Sequence, residues 1–188
     1  MGDTTPRSAA ELVRGFTPEN ELEERVARDP ALLEGLAWGK PRKGHPEGTV
    51  GAHVGDLLET LESWNEPPER RAQLRFVALV HDAFKHEVQH WRPRSGENHH
   101  ATRARRFAER YTGDERLLCT IELHDRHYSI WRKMKRRRRL DEKALEDLIN
   151  RIVDPELFMR FVKLDGSTEG KKPEPIDWFR AELAKRRG

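Results

Sequence analysis

His81 and Asp82 stand side by side at the end of the apolar run Phe76-Val77-Ala78-Leu79-Val80. Imidazole nitrogen and carboxylate oxygen both ligate divalent cations, and both can carry protons in catalysis. Leu74, Val77, Ala78 and His81 share one helical face, so the imidazole points where the apolar stripe points. A single His in that position is most often a core histidine bonded to backbone. Here the same anomaly recurs. His53 interrupts the face formed by Val50, Val54, Leu57, Leu58 and Leu61. His124 continues the face of Leu117 and Ile121, and Asp165 that of Phe158 and Phe161. An ionised Asp buried without a partner is strongly destabilising, so Asp165 must be exposed, paired or metal-bound. Gly166-Ser167 just after it also allows Asp165 to cap the end of its helix.

Helices that each turn a His or Asp inward suit a divalent cation. The mixed nitrogen and oxygen donor set fits manganese, iron, cobalt or nickel, and tolerates zinc or magnesium. No Cys joins the group, which argues against a structural zinc site. A further His belongs near it. His100 shares a face with Ala104, Phe107 and Tyr111, whereas His99 shares one with Arg103, Arg106 and Arg110. Spacing therefore favours His100 and places His99 in solvent, and cap geometry in the first turn is what would reverse that.

The elements that must position these residues announce themselves by their caps. Thr49 opens the helix of His53, and Asn65 to Pro68 open the one ending in His81. Asn98 is expected to cap the helix of Phe107, Asp114 the helix of His124, and Asp141 one running through Ile152. Asp154-Pro155 opens the helix of Asp165. Upstream, Ser8, Thr17-Pro18 and Asp29-Pro30 start short segments; downstream, Ile176 to Leu183 forms a last amphipathic one. Residues 38–48 and 83–97 read as loops. No repeat and no alternating strand pattern is present, so an all-α domain of about seven to nine helices is expected.

At 188 residues the chain is expected to be a single domain. Charged residues make up 37% and hydrophobic ones 35%, but the apolar positions are periodic, which indicates a compact core beneath a charged surface. The apolar runs fall far short of a membrane span, and the N-terminus lacks a basic segment followed by an apolar one. The only cysteine is Cys119, which excludes an intramolecular disulfide and fits a reducing, cytoplasmic setting. Nothing in the sequence sets an oligomeric state.

The ordered set His53, His81-Asp82, His100, His124 and Asp165 resembles the HD-domain metal-dependent phosphohydrolase superfamily. The resemblance runs from about His45 to Asp165. His81-Asp82-Ala83-Phe84-Lys85 is similar to the family's His-Asp-x-Gly-Lys, with Phe84 in place of the Gly. His45-Pro46-Glu47-Gly48 is similar to the HD domains attached to tRNA nucleotidyltransferases, and Phe161-Val162-Lys163-Leu164-Asp165 to the usual distal-Asp context. The resemblance implies an HD-domain helical bundle, here with extra N- and C-terminal helices. It implies that His53, His81, Asp82 and Asp165 ligate one metal. His100 and His124 would hold a second, with Asp82 bridging.

A bound metal lowers the pKa of water and neutralises phosphate oxygens, so the expected reaction is hydrolysis of a phosphomonoester or phosphodiester. The expected substrate is small and phosphorylated, a nucleotide or a related compound. Lys85 either offers a cation to the phosphate or is a loop lysine. Arg42, Lys43 and His45 either line the mouth of the site or are surface charge. Glu87 is a candidate for orienting water, and Asp125 for orienting His124 or a neighbour. His86, His90 and His127 lie on no clear apolar face and are expected at the surface or beside the ligands. The run 132–139 holds seven cations in eight residues, just after Tyr128 and Trp131. It reads as a solvated connection between helices or as an anion-binding patch for nucleic acid or a polyanionic nucleotide. Two other functions use the same residues: a catalytically quiet module binding RNA through 132–139, and an HD-type di-iron oxygenase.

Overall fold

The computed structural model describes residues 6–41, 48–168 and 170–187. The chain is all-α. Its helices are α1 (Glu21–Val26), α2 (Pro30–Ala37), α3 (Val50–Glu62), α4 (Pro68–Val80) and α5 (His100–Ala108). They continue with α6 (Glu115–Leu123), α7 (Arg126–Arg137), α8 (Glu142–Arg151), α9 (Pro155–Asp165) and α10 (Glu174–Arg187). Short 3-10 turns occupy Ala9–Glu11, Lys85–Glu87 and Gly96–Asn98. Among the described residues no strand forms; a lone antiparallel bridge joins Gly39 to Thr49 at the foot of α3. No described helix is long and apolar enough to cross a membrane.

Most helix starts are set by one side chain accepting from a backbone N–H that has no partner within the helix. Thr49 accepts from Ala52, Asp29 from Ala31, Asp114 from Arg116, Asp141 from Ala144 and Asp154 from Leu157. Two starts differ from expectation. Asn20, not Thr17, caps α1. His99, not Asn98, caps α5, its Nδ1 accepting from the Ala101 N–H at 3.3 Å. The Asn98 side chain is spent elsewhere: it bonds both the N–H and the carbonyl of Gln89 and the carbonyls of Arg92 and Pro93, tying down the loop before α5.

The larger departure is α7. Residues 126–137 are a continuous helix, and the basic run continues it rather than connecting helices. Only His127 and Ile130 of α7 are buried, so it docks by a narrow stripe, mainly against α10.

Two apolar clusters fill the interior. The first gathers α2, α3, α4, α5 and α6 around Leu36, Leu57, Phe76, Phe107 and Ile121. The second gathers α7, α8 and α10 around Ile130, Leu148 and Phe179. Helix α9 joins both: Leu157, Phe161 and Leu164 enter the first, Phe158 and Val162 the second. Helix α6 also joins both, through Leu117 and Ile121 on one side and Cys119 and Leu123 on the other, so the helices that tie the clusters together deliver Asp165 and His124 at their ends.

Candidate metal centre

His81 and Asp82 follow the last turn of α4, completely or almost completely buried. The His81 Nδ1 hydrogen is donated to the Ala78 carbonyl at 2.9 Å. His124, at the end of α6, does the same with the Ile121 carbonyl at 2.8 Å. A carbonyl only accepts, so both imidazoles carry hydrogen on Nδ1 and present Nε2 to the interior. In each case the acceptor is one of the carbonyls left unpaired at a helix C-terminus.

Those nitrogens meet carboxylates. Asp82 Oδ2 lies 3.4 Å from His81 Nε2, and Oδ1 lies 3.3 Å from His100 Nε2 and 3.6 Å from His124 Nε2. Asp165 Oδ1 lies 3.0 Å from His53 Nε2 and 3.7 Å from His81 Nε2. The donor atoms of His53, His81 and Asp82 all fall within 4.8 Å of one another, as do those of Asp82, His100 and His124. Asp82 thus belongs to two groups of three. Residues from α3, α4, α5, α6 and α9 are brought to one place.

Charge compensation comes from two lysines. Lys85 Nζ bonds Asp82 Oδ2. Lys171 Nζ bonds both the carbonyl and the carboxylate of Asp165, each at 2.7 Å. Burial raises the Asp82 carboxyl, but Lys85 and His81 outweigh it and hold the group well below the usual range. Burial likewise raises Asp165, and Lys171 and the two imidazoles hold it down. Both carboxylates are therefore ionised. Burial lowers His81, yet the neighbouring carboxylates raise it to about 9. The site is arranged to hold positive charge between the buried Asp82 and the partly buried Asp165.

The donor set fits a divalent cation on a specific observation. His81 Nε2, Asp82 Oδ1 and His100 Nε2 are buried and have no hydrogen-bond partner. Orphaned polar atoms of this kind are rare unless a ligand occupies them. In each group of three, two imidazoles and the Asp82 carboxylate converge, which matches the donors that first-row divalent metals take.

The remaining residues fall as follows. His99 is not in solvent: its ring stacks on His100 with centroids 4.7 Å apart, and its Nε2 lies 3.5 Å from Asp125 Oδ2. Asp125 Oδ1 is a further buried atom without a hydrogen-bond partner. Glu87 is engaged by Arg103 at 2.6 Å. His86 is half-buried and bonds the Ala83 carbonyl; His90 is exposed beside Arg94. His127 is buried against Phe158 and Phe179, not at the surface. Arg42, Lys43 and His45 lie outside the described residues. Lys171 escaped sequence reasoning because it sits in a Gly- and Pro-rich loop with no periodicity to give it a face.

In comparison with known proteins, the chain matches no family model, no curated protein and no solved structure.

Proposed function

We propose that this chain is a metal-dependent phosphohydrolase of the HD type, acting on a nucleotide or related phosphate. The observation that carries the reading is the two groups of three donors that share Asp82, with His81 Nε2, Asp82 Oδ1 and His100 Nε2 buried and unpartnered. His53, His81, Asp82 and Asp165 would hold one cation, and His100 and His124 a second, with Asp82 shared. A cation bound there supplies a Lewis acid and lowers the pKa of water, which is what phosphate ester hydrolysis requires.

The chain's own residues do the rest. The Ala78 and Ile121 carbonyls hold hydrogen on Nδ1 of His81 and His124, so Nε2 is the atom each would offer a cation, with His81 giving up its Nε2 proton on binding. Asp82 carries charge to both groups of ligands. Lys85 stays protonated: burial lowers it, but Asp82 raises it further. Its ammonium borders the open space beside the centre and is placed to receive a phosphate oxygen. Asp125, with an unpartnered oxygen on the same border, is placed to orient a water.

The test is metal analysis of protein purified without added metal, followed by phosphate release from a nucleotide panel in the presence of manganese. Wild type is expected to retain metal and release phosphate. The H81A/D82A double variant is expected to lose both. Phosphate release that survives the double replacement rejects the reading.

A further inference from the structure

Two cavities open beside the centre. One, of about 480 Å³, runs from Asp82, His100 and Asp165 to Tyr128, Trp131 and Lys171. The other, of about 730 Å³, runs from His99 and His100 to Arg94, Arg126, Arg132 and Lys133. Lys85, His100 and Asp125 border both. A ligand centred on those shared residues has room on either side.

Helix α7 is the ridge between the two. Its period sends Tyr128 and Trp131 to the smaller cavity and Arg126, Ser129, Arg132 and Lys133 to the larger. The Tyr128 and Trp131 rings lie near parallel, at 24°, with centroids 6.2 Å apart. Arg132 sits over Tyr128 at 5.8 Å and Lys135 over Trp131 at 5.7 Å. One ridge thus offers aromatic faces on one side and cations on the other.

Apart from Arg126, which lies 3.9 Å from Asp147, the cations are uncompensated. Many arginines elsewhere on the surface are paired: Arg14 with Asp56 and Glu59, Arg71 with Glu19 and Glu62, Arg105 with Glu115. Among the described residues, Arg132, Lys133, Lys135 and the four arginines at 136–139 form no ion pair. Of the three acidic residues beside the larger cavity, Glu122 is engaged by Arg105 and Arg151 and Asp141 caps α8, while Asp125 lies at the metal-centre end beside His99 and His100. A run of like charges repels itself and is relieved by a polyanion. A mononucleotide fills one cavity and leaves the other, with its cations, unused.

We propose that the substrate is a single-stranded oligonucleotide, with a base against Tyr128 and Trp131, a phosphodiester at the metal centre and the continuing backbone along Arg126, Arg132 and Lys133. Aromatic faces interleaved with cations are the usual means of holding unpaired bases and their backbone, and a paired base has no free face to offer. Hydrolysis adds water across one P–O bond. The water oxygen joins phosphorus, the ester oxygen leaves with a proton, and a phosphomonoester and an alcohol result. The assignment rests on the phosphohydrolase reading and narrows it from phosphate esters in general to diesters within a strand.

Binding is read first, on the full metal-free chain, by fluorescence anisotropy of 5′-labelled octauridylate and octathymidylate. Affinity is expected to fall with salt, and the R132Q/K133Q variant to reduce the salt slope by about 1.4. The W131A variant is expected to weaken binding about tenfold. Circular dichroism establishes that both variants fold, which their exposed or half-exposed positions favour. With manganese added, wild type is expected to cleave an octamer at least tenfold faster than uridine monophosphate. Cleavage of only one octamer supports the assignment and sets the sugar. No binding of either octamer at low salt overturns it, and so does binding without cleavage while bis(4-nitrophenyl) phosphate is hydrolysed. Those two results leave the phosphohydrolase reading standing; failure to cleave any ester removes both.

Discussion

Gly35 of α2 lies directly against the carbonyl of Ala83: a Cβ placed on it would sit 1.8 Å from that oxygen. Ala83 follows Asp82 in sequence, so the close approach fixes the chain where the ligand pair leaves α4. No side chain fits there. The G35A variant is expected to lose about 1–3 kcal/mol of stability, or more if the backbone cannot shift. It is also expected to retain less metal than wild type. Gly113 has nothing within 4 Å of a Cβ position and serves as the control. Denaturant melts of G35A and G113A would settle it: equal midpoints would mean that the approach is not tight.

Arg75 is buried and bonds both oxygens of the fully buried Glu23 at 2.9 Å, and the Thr17 carbonyl at 2.8 Å. Removing one partner strands the other charge in the core. The R75A variant is expected to be destabilised by about 3–5 kcal/mol, and R75M/E23L by much less. A double variant as unstable as the single one would show that packing, not charge, is what Arg75 supplies. The pair ties α4 to α1, so it also anchors the helix that ends in His81.

Lys171 neutralises Asp165 at 2.7 Å. On the metal reading, its ammonium compensates the carboxylate that a divalent cation would also compensate. The K171A variant is expected to be less stable than wild type by about 1 kcal/mol without metal. Adding manganese is expected to raise its melting temperature by more than it raises that of wild type. An equal or smaller rise would place Lys171 outside the cation's influence.

His127 sets a pH dependence. Its burial, among Phe158 and Phe179, lowers the pKa from an ordinary 6.5 to about 4. The native state therefore keeps His127 neutral where the unfolded state binds a proton. Stability contributed by this residue is full above pH 6.5 and is lost as pH falls from there to about 4, reaching about 3 kcal/mol. The H127L variant is expected to flatten that part of the stability profile. Parallel profiles for the two proteins between pH 6.5 and 4.5 would sink the claim.

The residues that were legible in the sequence are those whose role is local. Asp29-Pro30, Thr49, Asp141 and Asp154-Pro155 act within one turn, so their chemistry can be read without a partner. His53, His81, His124 and Asp165 were visible because each breaks an apolar stripe, and a stripe implies a direction. What failed was tertiary. His127 and Ile130 form too short a stripe to reveal α7, and only the packed faces of α9 and α10 show that His127 is buried. His99 shares its helical face with arginines, yet its place at the start of α5 turns it toward Asp125 instead. Asn98 is an apt cap by type, but the loop before it needed four hydrogen bonds more. Lys171 reaches Asp165 only because the chain doubles back after α9.

His53 and Asp165 touch across 112 positions of sequence. Closing so large a span is slow, because chain entropy is lost before the contact can reward it. Synthesis must pass Asp165 before these two side chains can meet. Any message cut short upstream of the ninth helix therefore yields a product that lacks the Asp165 carboxylate. On the metal reading, a retained cation would thus report that translation had passed Asp165.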